Sequence, residues 1–264
     1  MRRFVVIGLV VACLSLLFFT IGETAIEDNL VLHLPFDEGQ GNAVKDKSGK
    51  GNNGVVRRAN WVEGKSGKAL EFNGKDSFVE IQDSDSLNPT TGTFAAWIKP
   101  GKQAPTQWGS NGIVDKWEQA GDFKGYLIQS GASAAEGPKK GFERIGFLIG
   151  AGGDYKIIPV LDLSVDTWSH IAMTWDGKIM AVYINGKGVG EEKVKMVPAI
   201  GPMFIGKRAH GANGFFTGIV DEVAVFNKAL SPAEIQRIMR SVLAVSSSGK
   251  VAVTWGIMKD WLVR

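Results

Sequence analysis

The chain has 264 residues, 44% hydrophobic and 22% charged, which is enough for one large β-sandwich or two small domains with a substantial buried core. The net charge is only +3, and no dense Lys/Arg stripe with interleaved aromatics occurs, so the electrostatic footprint of a nucleic-acid binder is missing. The 34 glycines suit many tight turns between short strands.

Arg2 and Arg3 open the chain as a basic segment, and Phe4 to Phe19 follows as a nearly unbroken apolar run. Gly22 and Ala25 are small residues near cleavage positions. This layout predicts a secretory signal peptide over residues 1–25, and hence export to the periplasm, the cell surface or the medium. The alternative is an uncleaved anchor, which would be the only membrane contact of the chain; the run is slightly short against the roughly 20 apolar residues of a spanning helix. Val10-Val11-Ala12-Cys13 faintly matches a lipoprotein cleavage box, but the apolar run continues beyond it. Cys13 is the only cysteine, so the mature chain has neither a disulfide framework nor a thiolate metal site.

From Leu30 onward the hydrophobic period is two. Leu30, Leu32, Leu34 and Phe36 alternate with Val31, His33 and Pro35 as a first strand. Asn42 to Gly54 reads as a polar loop. Further strands are predicted at Ala69 to Asn73, Phe78 to Ile81 and Phe94 to Ile98, and again at Ile113 to Lys116, Gly125 to Gln129 and Ile145 to Ile149. Lys102 to Gly112 and Ser130 to Lys140 read as long loops. Trp168 to Trp175, Met180 to Ile184 and a strand near Val189 form a meander through Asp176-Gly177 and Asn185-Gly186 hairpin turns. Ile219 to Phe226 is the last strand. Ser231-Pro232-Ala233-Glu234 is a capping box with proline at the first helical position, and Ile235, Ile238, Met239 and Val242 share one helical face. This helix is expected on one edge of the sandwich. Residues 244–264 form a tail with room for one extra strand at Val251 to Trp255.

Many short strands, no βαβ alternation and one helix predict an all-β fold: a two-sheet antiparallel jelly-roll sandwich with one short C-terminal helix. The segments carry a family resemblance. Leu32-His33-Leu34-Pro35-Phe36-Asp37-Glu38-Gly39, Gly67-Lys68-Ala69-Leu70-Glu71-Phe72-Asn73-Gly74, Phe94-Ala95-Ala96-Trp97-Ile98, Tyr183-Ile184-Asn185-Gly186 and Asp221-Glu222-Val223-Ala224-Val225-Phe226 occur in the order seen in laminin-G-like domains. Over residues 29–243 the chain resembles laminin-G-like jelly-roll domains of the concanavalin-A-like lectin/glucanase group.

That resemblance implies a structural calcium ion (Ca2+) where the first and last strands meet, held by side chains such as Asp37, Asn53 and Asp221. Calcium takes six to eight oxygen ligands and tolerates irregular loops. By strand alternation Asp221 shares a face with Ile219, Val223 and Val225 and points inward; a buried carboxylate needs a partner, either the ion or turn N–H groups. Glu38 is a further oxygen donor, and Asp46 is expected to cap its own loop as an Asx-turn. Asp83 and Asp85 read as a solvated acidic loop before they read as a second ion site. Trp108, Trp117, Phe215 and Phe216 are candidates for ligand binding, because an aromatic ring offers an apolar face to the C–H side of a sugar. Trp97, Trp168 and Trp175 sit in strand patterns and are expected in the core.

Catalysis finds little footing. Glucanases with this fold place carboxylates on alternate positions of one strand, whereas Asp221-Glu222 is followed by Val-Ala-Val-Phe. His33, His170 and His210 lie in unrelated contexts and read as surface or satisfied strand residues. The expectation is therefore a non-enzymatic binding module for a glycan or an extracellular or matrix protein. A structural or assembly protein of the cell envelope is the alternative, and a polysaccharide hydrolase ranks last.

Overall fold

The computed structural model describes residues 26–103, 111–118, 122–131, 142–210 and 214–241. In chain order the strands are β1 (Leu30–Leu34), β2 (Ala43–Val44), β3 (Gly54–Arg57), β4 (Asn60–Glu63), β5 (Lys68–Asn73), β6 (Phe78–Ile81), β7 (Gly92–Pro100) and β8 (Asn111–Glu118). They continue as β9 (Lys124–Ser130), β10 (Phe142–Ala151), β11 (Tyr155–Ser164), β12 (Ser169–Trp175), β13 (Ile179–Ile184), β14 (Lys187–Lys193), β15 (Met203–Ile205) and β16 (Thr217–Phe226), followed by the helix α1 (Pro232–Arg240).

Two antiparallel sheets result. The first runs β14-β13-β12-β7-β16-β5-β4, with β1 beside the C-terminal half of β16. The second runs β11-β10-β9-β8-β15-β6-β3-β2. The main core lies between them. Phe94, Ala96 and Ile98 of β7, Ile171, Met173 and Trp175 of β12, and Val220, Val223 and Val225 of β16 face it from the first sheet. Val114, Ile128 and Phe147 face it from the second. The predicted two-sheet jelly roll with one short helix is what forms. The predicted signal segment and C-terminal tail lie outside the described residues.

The helix does not sit on an edge. It covers the outer face of the first sheet, where Ile235 and Ile238 pack with Ala95, Ala172, Ala181, Tyr183 and Ala224 in a second apolar cluster. Ala224, Ala95 and Ala172 are direct cross-strand neighbours on β16, β7 and β12. Their small side chains leave room for a helix backbone to approach the sheet. The capping box forms as read: Glu234 N–H donates to Ser231 Oγ at 3.3 Å, and Ser231 N–H donates to Glu234 Oε2 at 2.7 Å.

One irregularity shapes the site below. Opposite β7, Asp221 pairs with Trp97 but Ala224 pairs with Ala95, so β16 carries one extra residue, a β-bulge. Glu222 takes φ +51° there. The bulge breaks strict alternation along β16. Val223 and Val225 face the core, while Asp221 shares the outer face with its cross-strand partner Trp97. Asp221 is fully buried all the same, because the turn between β4 and β5 folds over it.

Candidate functional site: a pocket on the outer face of the first sheet

Three strands, the helix and a turn surround a pocket of about 130 Å³. Its floor is Ala95 and Trp97 of β7, His170 of β12, and Glu222 and Ala224 of β16. The last turn of α1 roofs it with Ile238, Met239 and Arg240, and Lys65 and Ser66 of the β4–β5 turn form a wall. Trp97 and His170 are cross-strand partners whose rings meet edge to face at 5.4 Å. Trp97 is half-buried, and the ammonium of the exposed Lys65 stands 4.4 Å from its ring centroid. That cation–π contact ties the rim of the pocket to its aromatic floor.

The bulge sets the polar chemistry. Glu222 is aimed at β1, where its Oε2 lies 2.8 Å from His33 Nε2. The Glu222 side chain is 8% exposed and that of His33 1%. The other carboxylate oxygen, Oε1, is buried with no hydrogen-bond partner among the described residues. The same is true of Nδ1 of His170 and Nδ1 of His33. Burial pushes the His170 imidazole down to about 4, so it is neutral near pH 7. His33 in turn is held by its backbone, whose N–H donates to Asp46 Oδ1 at 3.0 Å.

Asp221 holds the wall. Its Oδ2 accepts N–H bonds from Lys65 at 2.8 Å and Ser66 at 3.1 Å, and its Oδ1 accepts the Glu222 N–H at 2.8 Å. Burial, with the neighbouring Glu222 charge adding to it, raises the Asp221 carboxyl to about 7 against the opposing pull of those N–H groups. Gly64 is required at this turn, since a Cβ there would lie 2.6 Å from Asp221 Oδ2 and from the Lys68 carbonyl oxygen.

Of the expected calcium ligands, Asp37 and Asp221 both reach the β4–β5 turn, while Asn53 stands in another loop. Asp37 is exposed and its Oδ1 accepts the Lys68 N–H at 3.0 Å, bracing the far end of the turn that Asp221 holds. Asn53 is exposed in a separate loop, where its Oδ1 accepts the Asp46 N–H at 2.9 Å. Backbone N–H groups thus occupy Asp37 Oδ1, Asn53 Oδ1 and both oxygens of Asp221. Among the described residues no group of three or more His, Cys, Asp or Glu stands close enough together to hold a metal. Of the two partners expected for Asp221, the turn N–H groups are the ones in contact. Asp46 caps its loop through Ser48 N–H at 2.8 Å and Asn52 N–H at 2.9 Å. Asp83 pairs with the buried Lys116 ammonium.

Those of the expected ligand-binding aromatics that are described lie elsewhere. Trp108 is outside the described residues. Trp117 is 6% exposed and packs with Leu127, Leu148 and Phe123 on the second sheet, so its faces are covered. Phe216 is fully buried against Phe72 in the main core. Phe215 is half-buried with its ring 6.4 Å from Phe78. Trp117, Phe215 and Phe216 do not line the pocket. The aromatic that does is Trp97, expected in the core. The alternation that puts Phe94, Ala96 and Ile98 inside puts Ala95 and Trp97 outside, and that signal was in the sequence. His33 and His170 are neither surface residues nor fully satisfied ones.

Residues 73–236 match the family described as the concanavalin A-like lectin/glucanases superfamily, Laminin_G_3. The match spans well over half of the chain, and the protein belongs to this family. No curated protein matches it in sequence. Among solved structures, the chain is similar to the binding domain of Paraclostridial Mosquitocidal Protein 1, at 20% identity and a TM-score of 0.62 over 83% of this chain and 53% of that one. Domain 4 of AbnA, a GH43 extracellular arabinanase from Geobacillus stearothermophilus solved with arabinotriose, is similar at 18% identity and a TM-score of 0.62, over 80% of this chain and 98% of that one. The receptor binding domain of botulinum neurotoxin C/D mosaic serotype is similar at 16% identity and a TM-score of 0.61, over 86% and 55%. The chain thus spans about half the length of the toxin domains it resembles. At these identities the likeness establishes the fold.

Proposed function

We propose that this protein is an exported, non-catalytic binding module whose ligand is a glycan. The observation that carries the reading is the outer-face pocket, where an aromatic floor lies beside buried polar atoms that have no hydrogen-bond partner among the described residues. Small-ligand sites combine these two features, apolar surface for contact and a few placed polar groups for orientation. The similar solved domains support it, since they are a domain crystallised with a trisaccharide and two toxin binding domains. Export is supported by the N-terminal segment and by the extracellular setting of the arabinanase. Binding is preferred to hydrolysis because the neighbouring carboxylates are already committed. Asp221 holds the β4–β5 turn through Oδ2 and accepts the Glu222 N–H on Oδ1, and Glu222 is tied to His33 through Oε2. A surface or matrix protein is the second reading, favoured by the receptor-binding neurotoxin domain of like fold.

The test is binding of the purified chain to a glycan array and to a panel of matrix and cell-surface proteins. Saturable binding to a defined set of glycans supports the proposal. Binding to proteins alone would shift it to the second reading, and release of reducing sugar from a bound polysaccharide would replace it with catalysis.

A further inference from the structure

We infer that the pocket under α1 is a subsite for a single neutral sugar unit, gripped by two adjacent hydroxyls at Glu222 and His170. This deepens the binding reading and rests on it. Glu222 Oε1 is a buried acceptor without a donor, an arrangement that costs free energy unless something supplies the missing hydrogen bond. A neutral His170 ring carries one acceptor and one donor nitrogen, and its Nδ1 also lacks a partner. Lys65 and Ser66 add donors at the rim. A hydroxyl both donates and accepts. A pair of neighbouring hydroxyls can therefore donate to Glu222 Oε1 and accept from the imidazole or the rim, while the C–H edge of the ring lies along Trp97.

The alternatives fit less well. An anion would enter beside the buried Glu222 carboxylate. A cation would meet the Lys65 ammonium, which already stands over Trp97. A purely apolar molecule would leave Glu222 Oε1 without its donor. The pocket of about 130 Å³ has room to receive the edge of one sugar ring. Further sugar units would extend past the exposed Lys65 into solvent.

The experiment uses the intact chain with free arabinose, galactose, glucose, mannose and N-acetylglucosamine, followed by tryptophan fluorescence and by titration calorimetry. Tetramethylammonium and citrate serve as cationic and anionic probes. At least one sugar is expected to bind, and E222Q and W97A are each expected to weaken it about tenfold or more, since one charged hydrogen bond or one aromatic wall accounts for at least that factor. K65A, at an exposed position, is expected to weaken binding several-fold with an unchanged melting temperature, which separates ligand contact from folding. Sugar binding that E222Q, W97A and K65A all leave intact would overturn the pocket while the binding reading stood. Binding of only the cation or the anion would overturn the sugar chemistry. No binding of any sugar, free or arrayed, would overturn both.

Discussion

Glu222 keeps one oxygen on His33 and leaves the other without a donor, so its neighbours determine how stable that position is. His33→Ala strips the buried Glu222 carboxylate of its only side-chain partner among the described residues. It should destabilise the fold by about 1–3 kcal/mol in urea unfolding. A loss of a few tenths would mean the contact is incidental. The pH dependence comes from two groups of opposite sign. Asp221, raised to about 7, keeps a proton in the folded chain that the unfolded chain releases from about pH 4 upward. Its contribution to stability is therefore full below that pH and lost as pH rises towards 7. His170, lowered to about 4, stays neutral where the unfolded chain takes up a proton, so its contribution is full above about 6.5 and lost as pH falls. The two slopes oppose each other across the same window. In His170→Gln only the Asp221 slope remains of this pair. Relative to the wild type, the variant should lose stability between about pH 4.5 and about pH 6.5, by up to about 1.4 kcal/mol per pH unit. A variant-to-wild-type difference that is constant with pH would contradict the assignment to His170.

The elements explain both what the sequence revealed and what it hid. Strong alternation located β6, β12 and β13 nearly to the residue, and the capping box located α1. Other features depend on tertiary context. β11 carries Pro159 in mid-strand, which sequence patterning counts against a strand. It is tolerated because β11 is an edge strand, paired only with β10. The β16 bulge has no local sequence signal, so counting by twos sent Asp221 into the core and hid the pocket that Asp221 and Glu222 help to build. The place of α1 was encoded in Ala95, Ala172 and Ala224, but only the strand order aligns these residues into one row. That row gives a further prediction. Ala172→Leu places extra methylenes between sheet and helix, and should cost about 1–3 kcal/mol by displacing α1. An unchanged unfolding midpoint would mean that α1 rests only loosely on the sheet.

Across the sandwich, stability is drawn from one large apolar core and a second cluster under the helix. With N–H groups already on Asp221, the fold should not depend on calcium. The melting temperature should be the same in millimolar calcium and in chelator. A rise of several degrees with calcium would make these carboxylates ligands after all. Functionally, the architecture places a pocket where the outer face of one sheet, the helix and the β4–β5 turn meet. The most direct test is a glycan array probed in parallel with the wild type and with Trp97→Ala. Discrete glycan signals that Trp97→Ala abolishes while its melting curve stays cooperative are the expected result. An identical glycan profile for both proteins would place recognition elsewhere on the sandwich and contradict the role assigned to this pocket.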